Sequence, residues 1–119
     1  MRALEASLSE VLGRPGVVGA ALVDAVTGLT YRSAGDHRSL GPGTELAELV
    51  DMIGARLHEA GAEGDLESVV VTSTRRYEIV QVVPRRGDPL LLATVLDRER
   101  INLALAVQWT ADRTKDLLR

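Results

Sequence analysis

Apolar and polar residues follow two different periods along the chain. Leu4, Leu8, Val11 and Leu12 fall at i, i+4, i+7 and i+8, one stripe of an amphipathic helix. Gly13 stops that helix and Pro15 forbids its continuation. Val17–Ala25 is a short apolar run with β-branched ends, which reads as a strand. Asp24-Ala25-Val26-Thr27-Gly28 reads as a hairpin loop, and Leu29–Ala34, more polar, as the return strand. The stretch Gly35–Gly43 has no period and predicts a mobile connection. Thr44 is placed to cap a second helix whose stripe is Leu46, Leu49, Val50, Ile53, Leu57 and Ala60, with Gly61 at its end. Three further strands follow, over Leu66–Ser73, Tyr77–Val83 and Leu90–Leu96, separated by turns at Thr74–Arg76 and Pro84–Pro89. Asp97 is positioned to cap a last helix through Ile101, Leu105 and Trp109 that extends toward Leu118.

The element order is therefore α-β-β-α-β-β-β-α. The first, fourth and fifth strands are apolar almost throughout, whereas a sheet covered on one face only would alternate. Helices are expected on both faces, giving a three-layer α/β/α sandwich. Nothing repeats and nothing marks a boundary, so residues 1–119 are expected to form one domain.

Composition narrows the function. A net charge of −3 argues against a nucleic-acid binder, which needs a surplus of Lys and Arg on one face. Tyr31, Tyr77 and Trp109 are the only aromatic residues, too few for stacking bases. The absence of cysteine removes disulfides, thiolate metal sites and a cysteine nucleophile. No apolar run approaches the roughly 20 residues that cross a bilayer, and the first residues lack an apolar leader core. A cytoplasmic location is the expectation.

The segment Pro15-Gly16-Val17-Val18-Gly19-Ala20-Ala21-Leu22-Val23-Asp24, the Thr27-Gly28 turn, Leu66-Glu67-Ser68-Val69-Val70-Val71 and the apolar fifth strand before a helix together resemble the roadblock/dynein light-chain family, in the roadblock–longin group with a profilin-like sandwich. The resemblance spans nearly the whole chain. It implies a five-stranded antiparallel sheet in order 2-1-5-4-3, with helix 2 on one face and helices 1 and 3 on the other. It also implies a homodimer joined through strand 3 and helix 2. Members of the family serve as adaptors, and several bacterial members regulate Ras-like small GTPases. The alanine- and valine-rich, phenylalanine-free composition is similar to that of bacterial members from high-GC genomes.

The dimer also has a physical argument. If strand 3 is a border strand, Val69-Val70-Val71 leaves an apolar edge with unpaired backbone groups and no Pro or Lys to protect it. A symmetry mate would satisfy it. On helix 2, Ala47, Asp51, Gly54 and His58 share one flank, and the small residues permit close approach of a second helix. An antiparallel pair centred near Gly54 would bring Asp51 toward His58 of the other copy. Glu48, Met52, Ala55, Arg56 and Glu59, on the outer side of the same helix, are then the candidate surface for a partner.

Candidate chemistry is sparse. No Gly is followed by Lys, so there is no P-loop, and no Gly-x-Ser-x-Gly elbow marks a nucleophile. Gly41-Pro42-Gly43-Thr44 looks superficially like a phosphate-binding helix start, but Glu45 would repel an anion. His37 and His58 have no metal-site spacing. Arg75-Arg76 and Arg85-Arg86 sit in turns, where exposed arginines are ordinary. No catalytic residue, cofactor or metal is expected. The leading expectation is a non-catalytic homodimeric scaffold for a partner such as a small GTPase. The alternative is a small-ligand sensory module of profilin-like fold, with Gln81 among its few polar pocket candidates.

Overall fold

The structure, a computed structural model, describes residues 2–117. The elements are α1 (Arg2–Leu12), β1 (Val17–Asp24), β2 (Thr30–Gly35), a 3-10 turn (His37–Leu40), α2 (Gly43–Glu59), β3 (Ser68–Thr72), β4 (Arg76–Val83), β5 (Leu90–Asp97), a second 3-10 turn (Arg98–Arg100) and α3 (Leu103–Leu117). Leu118, the expected limit of the last helix, lies outside the described residues.

The strands form one antiparallel sheet in the order β2-β1-β5-β4-β3. β5 lies at the centre and is buried from Leu90 to Leu96, as its unbroken apolar run requires. Its even and odd positions feed two separate cores. On one face Leu22, Leu90 and Leu92 pack with Leu8 and Val11 of α1, and Ile79 and Leu96 pack with Ala106 of α3. On the other, Ala21, Val23, Val80, Leu91 and Ala93 pack with Leu46 and Val50 of α2. The three expected layers are thus present, helix by helix.

The buried polar side chains Asp24 and Gln81 are spent on the fold. Asp24 Oδ1 accepts from the amides of Val26 and Thr27, and Oδ2 accepts from the Tyr31 hydroxyl. These bonds shape the β1–β2 hairpin, with Gly28 at φ +78°. A side chain at Gly28 would also collide with the backbone of Thr44, and one at Gly43 with the Gly28 carbonyl. The hairpin and the start of α2 therefore cross backbone against backbone. Gln81 donates to Thr110 Oγ1 and to the Val107 carbonyl, pinning α3 to β4.

Several local expectations are corrected. Pro42, not Thr44, occupies the helix cap, and its carbonyl accepts from the Leu46 amide; Thr44 lies within α2. The Gly28–Gly43 crossing draws the helix start forward. The connection after β2 is not free: it contains a 3-10 turn, Leu40 packs against the α2-side core, and the Asp36 amide donates to the Val18 carbonyl. Asp97 caps only the short second 3-10 turn, accepting from the Glu99 amide, and α3 is capped by Asn102, whose Oδ1 accepts from the Leu105 amide. Gly61 does end α2: its amide reaches the His58 carbonyl and the Ala62 amide reaches Leu57, a Schellman closure.

Candidate partner-binding surface

β3 borders the sheet, and among the described residues one side of its backbone ladder has no strand beside it. Val69 and Val71 face the α2 side, while Val70, opposite Ile79, faces the α3 side. Val69 is half-buried; Val70 and Val71 remain 38% and 41% exposed. Three successive valines thus form an open border, apolar on both faces.

α2 divides into two halves. Leu46, Ala47 and Val50 in the first half are buried on the sheet. In the second half Ile53 is only half-buried and Leu57, part of the same predicted stripe, is 41% exposed. Continuation of the apolar stripe past the point where the sheet covers it leaves surface for something else to cover.

Of the four residues expected on the dimer flank, Ala47 is buried, Gly54 half-buried, and Asp51 and His58 are exposed. Ala47 and Asp51 line a hollow with Val26 and Thr27 of the hairpin. Asp51, Gly54 and His58 line another with Leu66, Val82, Pro89 and Leu91. A side chain built at Gly54 would meet nothing within 4 Å, so the space above it is open. Val69–Val71 are not part of either hollow. Glu48, Met52, Ala55, Arg56 and Glu59 are all exposed.

Of the four arginines in the two predicted turns Arg85 is engaged, and Arg98 of the second 3-10 turn packs beside the Thr74–Arg76 turn. Arg98 donates to the Ser73 carbonyl and lies 5.5 Å over Tyr77, and Arg85 donates to the Asp88 carbonyl while lying 5.6 Å over Tyr31. Arg75 and Arg76 line a surface hollow of about 450 Å³, but Asp97 and Glu99 share it and offset the charge. Trp109 is half-buried between the two cores of the α1/α3 face, with the Arg14 guanidinium 5.1 Å over its ring. Among the described residues no three His, Asp or Glu side chains gather into a metal-binding group.

Two acids have displaced pKa values. The Thr27 amide, against some opposition from burial and with help from Val26 and Tyr31, holds the Asp24 carboxyl below its ordinary value. Burial pushes Glu78 up, and its Oε2 is enclosed without a hydrogen-bond partner. Reading the sequence alone missed Glu78. The signal available was one acid in an otherwise apolar stretch, Tyr77-Glu78-Ile79-Val80.

A β2-β1-β5-β4-β3 sheet with one helix on one face and two on the other defines a roadblock-type α/β sandwich. MglB of Myxococcus xanthus superposes with a TM-score of 0.82 at 16% identity, over 98% of this chain and 85% of that one. The gliding protein MglB of Thermus thermophilus gives 0.77 at 21% identity with the same coverage. A roadblock/LC7 domain from Streptomyces avermitilis gives 0.73 at 22%, over 93% of this chain and 91% of that one. No family model matches the sequence, and no curated protein matches it. At these identities the likeness is one of fold, and the roadblock resemblance read from the sequence holds at that level.

Proposed function

We propose that the chain is a non-catalytic scaffold that works as a homodimer, joining two β3 borders into one continuous sheet and setting two α2 helices side by side. The observation that carries this reading is the coincidence of an unpaired, three-valine border with an α2 stripe that outruns its cover. Pairing would satisfy the open backbone ladder and bury both apolar surfaces at once. Asp51, Gly54, His58, Val69, Val70 and Val71 belong to that joint, while Ala47, buried on its own sheet, offers it little surface.

The two helices then present Glu48, Met52, Ala55, Arg56 and Glu59 as a composite surface with an exposed methionine at its centre. A methionine adapts its shape to what it meets. The resemblance to the roadblock family, several bacterial members of which regulate Ras-like GTPases, favours a small Ras-like GTPase in the cytoplasm as the partner, bound so as to hold one switch conformation. The spending of Gln81 on α3 counts against a polar ligand pocket and hence against the sensory alternative.

The test is a pull-down with a Ras-like GTPase encoded beside the gene, loaded with GDP and GTP in turn. Preferential capture of one form, lost in Met52→Glu, supports the reading. No capture of either form removes the GTPase and leaves the scaffold.

A further inference from the structure

Acids lead into the open border and arginines follow it. Glu63, Asp65 and Glu67 precede β3, and Arg75 and Arg76 come with the turn that leaves it. All five are exposed. The Glu67 carbonyl accepts from the Val82 amide, and at the other end of the strand the Ser73 amide donates to the Arg76 carbonyl. In an antiparallel pair the bonded positions alternate, so Glu67, Val69, Val71 and Ser73 spend their backbone groups on β4. Those of Ser68, Val70 and Thr72 turn to the open side. A second β3 that satisfies all three at once runs antiparallel and is centred on Val70, with Ser68 opposite Thr72 of the second copy.

We infer that Glu67 and Arg76 are the residues by which one copy selects another, each Glu67 pairing with Arg76 of the second copy across a joint centred on Val70. The inference rests on the dimer reading above. In that register Glu67 stands opposite Ser73 of the second copy, whose neighbour across its own hairpin is Arg76. Strand alternation puts Glu67 and Arg76 on one face of the sheet, that of Val69 and Val80. A twofold axis perpendicular to the sheet keeps that face common to both copies. Two strand spacings, about 10 Å, separate the two backbones. The serine between them is small, and a glutamate and an arginine extended toward each other span the gap.

Within one chain the two residues do not meet. They mark opposite ends of the β3–β4 hairpin, and the span from Glu67 to Ser73 is about 20 Å. Asp97 stands opposite Arg76 in its own sheet, with Oδ1 accepting from the Glu99 amide. Arg76 therefore has a carboxylate on one side and a fork of donors to offer on the other. The order of charges also fixes direction. A parallel pair of borders would set Glu67 against Glu67 and Arg76 against Arg76, whereas the antiparallel pair sets opposite charges together twice.

Sedimentation equilibrium on the full chain at low ionic strength tests this with Glu67→Arg, Arg76→Glu and the chain carrying both. Each single reversal is expected to raise the dimer dissociation constant about tenfold, because two exposed pairs turn repulsive. The chain with both reversals should return to within about threefold of the parent, since its pairs are again of opposite sign. For the same reason an equal mixture of the two single variants should form mixed dimers in preference to either homodimer, read by native mass spectrometry. If the reversal beside Asp97 costs folding, Glu67→Gln and Arg76→Gln close a double-mutant cycle in its place, with the two losses expected to be non-additive. Single variants that pair as tightly as the parent, no recovery in the double reversal, mixed dimers in statistical proportion only, or strictly additive losses overturn the inference while leaving the dimer in place. A parent chain that never associates overturns the dimer reading itself.

Discussion

The two borders of the sheet occupy equivalent positions and are built in opposite ways. β2 presents Thr30, Arg32 and Ser33 to water, and its hairpin is fastened by Asp24 and Tyr31. β3 presents Val69, Val70 and Val71, with no charge among them. Polar and charged residues on an edge discourage a second strand, and valines invite one. One border is therefore finished within the chain, and the other is built to be completed from outside. The same contrast divides α2, whose first half rests on the sheet and whose second half carries exposed Met52 and Leu57.

The contrast breaks most sharply at Val70. Val70→Lys places an unpaired cation in the joint and should raise the dimer dissociation constant at least about a hundredfold, since burying such a charge costs several kcal/mol. A lysine at Thr30 on the other border should leave the constant unchanged; sedimentation of both variants checks this. The converse change, Arg32→Val with Ser33→Val, should make β2 adhesive and drive light scattering above the parent value at high concentration. Gly54→Ala sharpens the account on α2. The open space at Gly54 admits a methyl group, so the separated chain should gain up to about 1 kcal/mol in thermal unfolding. The dimer, which brings a second helix close to that position, should weaken. The smallest effect belongs to the finished border. Asp24 is depressed in the fold, so its stabilisation is complete above its unfolded value and lost as pH falls through the folded one. Asp24→Asn should flatten that acid limb in a melting profile taken between about pH 2 and 5.

The layers were legible because burial on both faces demands an unbroken apolar strand, and Leu90–Leu96 is one. The border was legible in chemistry but not in place: three valines show adhesion, while only the pairing with β4 on one side shows that the other side is open. Helix starts were misplaced where distant residues decide them. Asp97 and Asn102 both suit a cap, and Ile101, extended and lodged against Gly16, breaks the chain between them. A stripe also cannot state how far its cover extends, so Leu57 reads as core although the sheet does not cover it. Glu78 was overlooked because the meaning of a lone acid depends on the strand that runs beside it.

The mass of the parent chain in solution at micromolar concentration tests the central claim most directly. Sedimentation equilibrium should return twice the 12.8 kDa chain mass, falling to a single chain in Val70→Lys. A parent chain that sediments as one copy, stable and unaggregated with its valine border in water, would contradict the account.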